Sequence, residues 1–312
     1  MKWEKKGLVF VPDGKYEWSM SHAQVPVVDI VDERIWRIYY ATRNSKNQSN
    51  ISYIEVEAGD PEVIKYVHHE PILPLGNIGT FDDSGIMPSC ILTKGDKKYM
   101  FYIGWNAATT VGYRLAIGVA ISTDNGKSFV KYSEGPILDR SVYDNCLCAS
   151  PFVYIEDDLW RMWYVSGTHW ELINGRPEPF YHIKYASSSD GLNWERKGIV
   201  CIDYDDFTEG ISRPCIVKKG NDYIMFYSFR NNKDYRTDLL NSYRIGYAFS
   251  QDGISWIRKD QDVGIALAGK GWDSEMVAYP YVIEFRDRYY MFYNGNGFGK
   301  TGFGYAVAST LL

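Results

Sequence analysis

Hydrophobic and polar residues alternate along much of this 312-residue chain, which is the pattern of β-strands with one buried face. The apolar positions are rich in aromatic and β-branched residues, as in YIMFY at residues 223–227. No helical period of 3.6 residues is sustained anywhere. The pattern therefore predicts an all-β protein.

The predicted strands recur in five similar units. Each unit begins with a proline, and an aromatic strand ends in a tyrosine 13 or 14 residues later. The spacings between successive prolines are 62, 63, 63 and 66 residues, and the prolines are Pro26, Pro88, Pro151, Pro214 and Pro280. A period of this length, with several strands in each repeat, is typical of a β-propeller.

Each unit is expected to contain four antiparallel strands. An alternating segment follows the aromatic strand, and in three units an Asp- and Gly-containing turn then leads to a further aromatic residue, as in residues 190–194. The fifth unit lacks its outer strand, whereas the N-terminal sequence WEKKGLV at 3–9 is similar to WERKGIV at 194–200. We therefore predict that residues 1–312 form a single five-bladed β-propeller domain, whose ring is closed by the N-terminal strand pairing into the last blade.

Candidate catalytic residues lie where the first strand of each unit begins, because these ends converge near the axis of a radial array. The residues five positions before the prolines are Ser21, Asp83, Cys146, Glu209 and Glu275. Three of these residues are acidic. We predict Asp83, Glu209 and Glu275 as catalytic carboxylates.

Further polar and aromatic side chains are expected around the same axis, at the ends of the second strands and beside the first strands. We predict as substrate-binding residues His22, Arg43, Trp105, Asn106, His169, Trp170, Arg213, Arg230 and Asp273. Amide, carboxylate and guanidinium groups bond sugar hydroxyls, and aromatic rings stack on the apolar face of a sugar. This mixture of side chains predicts a carbohydrate ligand.

Hydrolysis of a glycosidic bond commonly uses two carboxyl groups, one of which protonates the leaving oxygen while the other acts as base or nucleophile. We favour Glu209 as the acid, because Gly210 lies beside it and Arg213 is near enough in sequence to influence its charge state.

The repeat architecture and the acidic residues at the inner-strand entrances resemble the five-bladed propeller glycosidases of glycoside hydrolase families 43, 32, 68, 117 and 130. The resemblance covers essentially the whole chain. It implies that Asp83, Glu209 and Glu275 match the acids that serve in those enzymes as base or nucleophile, general acid and orienting acid. The pattern of families 43 and 32 also expects an aspartate in the first blade, where this chain has SHAQ at 21–24.

This departure leaves several functions open. His22 could replace the missing acid, as a histidine acid does in enzymes similar to family 117. Resemblance to the family 130 phosphorylases implies inorganic phosphate as a second substrate, bound by Arg43, Arg213, Arg230 and His169. The remaining alternative is a noncatalytic propeller that binds a glycan or a protein.

Structural roles compete with each of these assignments. Any one of the three acids could cap a loop through backbone amides, and Arg43 and Arg230 could merely neutralise nearby acids. Trp105 and Trp170 could pack between blades. The segments 168–181 and 230–242 are the longest inserts between second and third strands, and we expect both to overhang the pocket.

Composition limits the partners and the location. The net charge of −5 and the isoelectric point near 5.6 argue against nucleic acid and anionic membranes as partners. The N-terminal sequence does not resemble a secretory leader, so a cytoplasmic location is expected. No cofactor is predicted, with one alternative. The acidic residues could bind a calcium ion on the axis, although the sequence contains no recognisable calcium-binding loop.

Overall fold

The computed structural model describes residues 1–311, and these residues form an all-β fold. The N-terminal strand is β1 (Glu4–Phe10). The first unit follows with β2 (Ser21–Ile30), β3 (Ile35–Arg43), β4 (Ser49–Glu57) and β5 (Asp60–Val67). The second unit contains β6 (Gly85–Lys94), β7 (Lys97–Ala107), β8 (Tyr113–Ser122) and β9 (Val130–Lys131).

The remaining three units repeat this arrangement. The third unit contains β10 (Cys148–Glu156), β11 (Leu159–Ile173), β12 (Arg176–Ser188) and β13 (Glu195–Ile202). The fourth unit contains β14 (Glu209–Lys219), β15 (Asp222–Asn231), β16 (Arg244–Ser250) and β17 (Ile257–Arg258). The last unit contains β18 (Ala278–Phe285), β19 (Arg288–Asn294) and β20 (Phe303–Ala308). Two short helical turns are present, a 3-10 turn at Asp260–Asp262 and α1 at Asn296–Gly299.

Within each unit the strands pair antiparallel in chain order. The third and fourth units are separate four-stranded sheets, whereas the first two share one sheet through a single parallel pair, Ser49 with Gly85. The last unit takes its fourth strand from the other end of the chain, since β1 runs antiparallel to β20 with Glu4 opposite Val307. Each of the five units therefore has four strands.

Aromatic side chains fill the space between neighbouring units. Trp36 of the first unit packs edge-on against Tyr290 and Phe285 of the last, with ring centroids 4.9 and 5.1 Å apart. Trp160 of the third unit packs in the same way against Tyr99 of the second, at 5.3 Å. Such edge-to-face pairs each contribute about 0.5–1.5 kcal/mol beyond the burial of apolar area. The repeated aromatic strand is thus what joins one unit to the next.

The first strands of the units carry a recurrent distortion. In four of the five, the residue before the repeated proline has a positive φ: 50° at Val25, 46° at Ser150, 58° at Arg213 and 58° at Tyr279. Each lies at a β-bulge, where the register of the strand shifts. Bulges redirect side chains and are common beside functional sites.

One of these redirected residues, Arg213, contacts the first strands of two other units. Its side chain is buried, and the guanidinium donates to the carbonyls of Pro88, Val25 and Pro26 and to Ser89 Oγ, at 2.9 to 3.4 Å. The guanidinium therefore joins the first strands of the first, second and fourth units. Burial lowers the pKa of Arg213 to about 10, so that it remains charged at neutral pH. We predicted Arg213 as a substrate-binding residue, but its burial among these carbonyls assigns it a structural role.

A second recurrent feature ties the outer and inner strands of a unit together. In the second unit the Tyr102 hydroxyl donates to Asp82 Oδ2 at 3.0 Å, and Lys131 lies 2.7 Å from the same oxygen. We call this arrangement the Asp–Tyr–base link. Corresponding trios occur in three further units: Asp144 with Tyr164 and Arg196, Asp260 with Tyr227 and Arg258, and Asp273 with Tyr293 and Lys5.

The link explains why Asp273 is not placed as we predicted. Its carboxylate is only 5% exposed and is held by Lys5 at 2.7 Å and by the Tyr293 hydroxyl at 2.9 Å. A carboxylate that is buried and neutralised in this way has little capacity left to bond a sugar. These bonds favour a structural role for Asp273 in the last unit over the predicted role in substrate binding.

All five cysteines are free thiols, and no helix within residues 1–311 is long and apolar enough to span a membrane. The same residues contain no cluster of three or more His, Cys, Asp or Glu side chains that could hold a metal ion.

Candidate functional site

An arginine and five tyrosines meet at the end of the sheets where the first strands begin. Tyr113 starts β8, Tyr279 lies near the start of β18, and Arg230 is the residue before the last of β15. They come from the second, third, fourth and last units. We call this group the arginine–tyrosine cluster, and its members are Arg230, Tyr113, Tyr181, Tyr235, Tyr243 and Tyr279.

Arg230 is the centre of the cluster and is 2% exposed. Its Nε donates to the hydroxyls of Tyr181 at 3.0 Å and Tyr243 at 3.1 Å, and its Nη2 donates to the carbonyl of Pro179 at 3.4 Å. The guanidinium also lies over the ring of Tyr235, with its carbon 3.6 Å from the ring centroid. These contacts fix the orientation of Arg230, and its Nη1 is left buried without a hydrogen-bond partner.

The tyrosines contact one another across units. The hydroxyls of Tyr181 and Tyr243 are 2.5 Å apart, and the ring of Tyr243 lies 5.5 Å from that of Tyr279. Tyr113 packs edge-on against Trp170 at 5.4 Å. Burial raises the pKa of Tyr113 to about 12 and that of Tyr279 well above its ordinary value. At neutral pH the hydroxyls of Tyr113 and Tyr279 are therefore neutral and can both donate and accept hydrogen bonds.

The two longest inserts form one wall of the cluster, at the place where we expected them to overhang a pocket. Glu178, from the β11–β12 hairpin, is 5% exposed and accepts from the Tyr235 hydroxyl at 2.8 Å and from Arg236 Nε at 3.2 Å. The tip of the same hairpin contacts the β15–β16 segment, since Asn174 Nδ2 donates to Asp234 Oδ1 at 2.6 Å. These bonds hold the two inserts together.

The first unit contributes His22 and Arg43. Arg43 Nε donates to Gln24 Oε1 at 3.0 Å, and His22 Nδ1 lies 2.8 Å from Ser21 Oγ. Burial, together with the positive charges of Arg43 and Lys300, lowers the pKa of His22 to about 4. The imidazole is therefore neutral at pH 7 and can donate one hydrogen bond and accept another.

Arg43 and Arg230 share a further property. No carboxylate within residues 1–311 forms an ion pair with either guanidinium, because their partners are amide oxygens, hydroxyls and a backbone carbonyl. Both also lie close enough to Tyr279 for electrostatic interaction with its hydroxyl. The two arginines therefore do not neutralise acids of the site, which was the structural alternative for them.

The three predicted catalytic carboxylates have different surroundings. Asp83 is half-buried and accepts from the backbone N–H of Gly79 at 2.9 Å and from Ser84 Oγ at 2.8 Å. Glu275 is exposed, and only its backbone groups are bonded, to Asn296 and Ser242. Among the described residues, no cation forms an ion pair with either carboxylate.

Glu209, in contrast, is strongly bound. Its two carboxylate oxygens accept from Arg258 at 2.8 and 3.3 Å, and one of them also accepts from the backbone N–H of Asp205 at 2.8 Å. Charge-assisted bonds of this kind hold the Glu209 carboxylate in one orientation. This environment differs from the one we expected for the acid, since Arg258 and not Arg213 is the neighbouring cation.

No direct hydrogen bond joins any two of these three carboxylates in the part of the chain that the structure describes. The side chains that converge most closely are instead the tyrosines and Arg230.

The other predicted residues divide between the cluster and its surroundings. Trp170 contacts the cluster through Tyr113, whereas Trp105 donates from Nε1 to Ser49 Oγ at 2.8 Å and packs between the first and second units. Asn106 is half-buried near the end of β7. His169 stacks on Phe180 at 4.4 Å, and its Nε2 lies 3.2 Å from Glu171 Oε1.

Sequence reasoning missed the tyrosines at the starts of the third strands and the buried Glu178. A signal for the tyrosines was present, because Tyr181 and Tyr243 each stand immediately before the alternating segments that begin at His182 and Arg244. No comparable repeat marks Glu178, whose position depends on the length of its hairpin.

No family model matches the chain. Two relatives match almost all of it: "Uncharacterized protein MT1551" of Mycobacterium tuberculosis strain CDC 1551 / Oshkosh and "Uncharacterized protein Rv1502" of strain ATCC 25618 / H37Rv. Each is 37% identical over 308 residues, which are 98% of this chain and 99% of the relative. The chain belongs to the family of these mycobacterial proteins.

Solved structures identify the fold of this family. A thermostable family-43 glycoside hydrolase matches with a TM-score of 0.66, at 17% identity, over 92% of this chain and 88% of its own. A structure from the GH130 family, described as containing mannoside phosphorylases and glycoside hydrolases that target beta-1,2 mannosidic linkages, matches with a TM-score of 0.71, at 16% identity, over 98% and 93%. A third structure, described as a glycoside hydrolase, gives 0.72, at 18% identity, over 99% and 92%. The fold is that of the glycosidase-type propellers, as the resemblance in sequence implied.

Proposed function

We propose that this protein is a glycoside-processing enzyme that acts on a small or anionic glycan at the arginine–tyrosine cluster. The observation that carries the proposal is that side chains from four units meet there around Arg230, next to Arg43 and His22 of the first unit. We infer that the five four-stranded units are the blades of one ring, which the pairing of β1 with β20 closes. The cluster then lies on the axis of that ring.

The chemistry of the cluster suits a sugar. Tyrosine rings offer flat surfaces for the apolar face of a pyranose or furanose, and their neutral hydroxyls bond sugar hydroxyls as donors or acceptors. The two arginines without carboxylate partners suit a negatively charged group on the glycan. Aromatic side chains combined with a few fixed polar groups are typical of sites that bind small molecules.

Asp83 is the strongest candidate for the catalytic base or nucleophile. Asp83 precedes the first strand of the second unit, at the predicted axial position. Its carboxylate is half-buried and has no cationic partner among the described residues. Glu275 occupies the equivalent position in the last unit and is exposed, so its carboxyl group is accessible to a substrate as the second acid. Glu209 is the predicted proton donor, and Arg258 holds its carboxylate in place.

Phosphorolysis is the second candidate reaction. Arg43 and Arg230 would bind inorganic phosphate in place of an anionic group of the glycan. Phosphate would then attack the anomeric carbon while the glycosidic C–O bond breaks, and a carboxylic acid of the site would protonate the leaving oxygen. The absence of a carboxylate partner for either arginine among residues 1–311 supports this alternative as well.

A panel of aryl glycosides and oligosaccharides, assayed with and without inorganic phosphate, tests the proposal. We expect Asp83→Asn to lower turnover by about 100-fold or more while glycan binding is retained, because an amide cannot act as base or nucleophile. Asp139→Asn, a change at a partly exposed aspartate before the third unit, is the matched control and is expected to keep full activity.

Turnover that requires phosphate would select phosphorolysis. If no member of a broad panel is turned over while glycans still bind, the protein is a binding propeller and the enzymatic proposal is wrong.

A further inference from the structure

Three buried polar atoms of the fourth unit have no hydrogen-bond partner. They are Arg230 Nη1, Ser212 Oγ and Asn232 Oδ1, and their residues are 2%, 7% and 1% exposed. Only six such side-chain atoms occur within residues 1–311, and half of them belong to this one hairpin. We call these three atoms the polar triad. Leaving a buried polar group without a partner costs about 1–3 kcal/mol, so a concentration of three requires an explanation.

The register of the hairpin places Ser212 and Arg230 on one face. Ser212 lies opposite Ser228, and Gly210 lies opposite Arg230. Since side chains alternate between faces along a strand, Ser212 shares its face with Gly210 and with residues 228 and 230. Ser212 and Arg230 are therefore diagonal neighbours, within reach of one small ligand. Asn232 follows the end of β15, and its Oδ1 lies beside Gly210.

Gly210 lets the backbone of β14 approach Asn232 and Tyr181 closely. A Cβ atom at this position would lie 3.1 Å from Asn232 Oδ1 and 3.2 Å from a ring carbon of Tyr181. Both distances are shorter than ordinary van der Waals contact, so a larger side chain would intrude upon the triad and upon the arginine–tyrosine cluster beside it.

The donors and acceptors of the triad define the ligand. Arg230 Nη1 donates only, the Ser212 hydroxyl donates or accepts, and Asn232 Oδ1 accepts. The guanidinium carries a full charge and has no carboxylate partner among the described residues, so the complementary group is an oxyanion. Asn232 Oδ1 complements a hydroxyl group next to that oxyanion.

We propose that the polar triad binds an oxyanion carried by the glycan, with Arg230 and Ser212 donating to its oxygens and Asn232 accepting from an adjacent sugar hydroxyl. This inference rests on the proposed function and specifies its substrate class, a glycan that carries a phosphoryl or carboxylate group. The same chemistry would also hold free phosphate, and the test separates the two sources.

The test is a glycan array that contains phosphorylated, uronic-acid and neutral glycans, followed by calorimetric titration of the glycans that bind and of inorganic phosphate. We expect anionic glycans to be preferred, and Arg230→Gln to weaken their binding by about 10- to 100-fold, as is typical when a hydrogen bond to a charged group is lost. Arg286→Gln removes the same charge from an exposed arginine paired with Glu33, and it should leave binding unchanged.

Ser212→Ala is a second variant, which tests the site even if Arg230→Gln fails to fold. Because it removes a buried hydroxyl that has no partner, the melting temperature of the free protein should stay the same or rise. Binding of the anionic glycan should nevertheless weaken about tenfold, since one hydrogen bond to the oxyanion is lost. If Ser212 had a purely structural role, the substitution would not weaken binding while the melting temperature stayed the same or rose.

The outcomes distinguish this inference from the proposed function. Binding of neutral glycans alone, unaffected by Arg230→Gln, would overturn the oxyanion site and leave the glycan proposal standing. Binding of inorganic phosphate that depends on Arg230, with no glycan bound, would support the oxyanion site and count against the glycan proposal. If neither phosphate nor any anionic glycan binds, and a crystal structure shows only ordered water at the triad, the inference is wrong.

Discussion

Two buried arginines illustrate how the surroundings of a side chain decide its role. Arg213 donates to three backbone carbonyls and a serine hydroxyl, and these bonds join the first strands of three units. Arg230 is equally buried, but two of its bonds go to tyrosine hydroxyls and Nη1 has no partner. Since a buried polar group requires a partner, the fold satisfies Arg213, whereas it leaves Arg230 Nη1 for the ligand that we propose.

His22 allows a prediction of pH dependence at the same scale. Its pKa is lowered to about 4 in the folded protein by burial and by Arg43 and Lys300, whereas an unfolded histidine titrates near 6.5. The unfolded chain therefore takes up the proton first as the pH falls. The contribution of His22 to stability is complete above about pH 6.5 and is lost as the pH falls toward about 4.

We expect His22→Gln to reduce the loss of stability between pH 6.5 and pH 4, measured by urea unfolding at a series of pH values. His69→Gln, a change at an exposed histidine, is the control and should keep the wild-type dependence. An NMR titration that gives His22 a pKa near 6.5 would contradict this expectation.

At the scale of elements, the Asp–Tyr–base link holds the strands of a unit in place. The link in the third unit is the most extensive, because Asp144 is fully buried and accepts from Tyr164 and Ser166 as well as from Arg196. It connects the loop before β10 to strands β11 and β13. The acids of this link are therefore structural, although they lie only six or seven residues before the repeated prolines in three units.

Asp144→Asn is expected to lower the free energy of unfolding by about 3 kcal/mol, because it removes one partner of a buried ion pair and leaves Arg196 without its carboxylate. Urea unfolding measures this change. Asp139→Asn, at a partly exposed position nearby, should change stability by less than about 0.5 kcal/mol. An equal effect of both substitutions would mean that burial of the link has no energetic consequence.

At the scale of the whole molecule, the first and last strands depend on one another. Strand β1 supplies the edge partner of β20, and Lys5 supplies the cation for Asp273. Without β1, the last unit would have three strands, an exposed edge and a buried carboxylate without its base.

Deletion of residues 1–10 is therefore expected to abolish the cooperative unfolding transition and to cause aggregation, measured by circular dichroism and size-exclusion chromatography. Lys5→Met is the matched control, because it removes the ion pair but keeps the strand, and it should stay folded with reduced stability. A truncated protein that remains monomeric and unfolds at the wild-type temperature would exclude closure of the ring by β1.

The sequence anticipated the fold much better than the details of the site. The all-β class and the glycosidase-type propeller were confirmed, and the inserts 168–181 and 230–242 meet as neighbours through Asn174 and Asp234. Arg230 was predicted at the axis and is the centre of the cluster, whereas Arg213 and Asp273 were assigned to substrate and are buried structural residues. The catalytic roles of Asp83, Glu209 and Glu275 stay predictions.

What the sequence by itself determined was the set of strands and their repetition. Alternation with a period of two residues is a local property of the chain. A proline that recurs every 62 to 66 residues can likewise be recognised from the sequence without any structure. Which side chains meet was decided by tertiary structure alone. The contact between Tyr181 and Tyr243 joins residues 62 positions apart, and that between Arg213 and Pro88 joins residues 125 apart. Such pairs depend on bulges, hairpin lengths and the packing of one unit on the next, which no local pattern encodes.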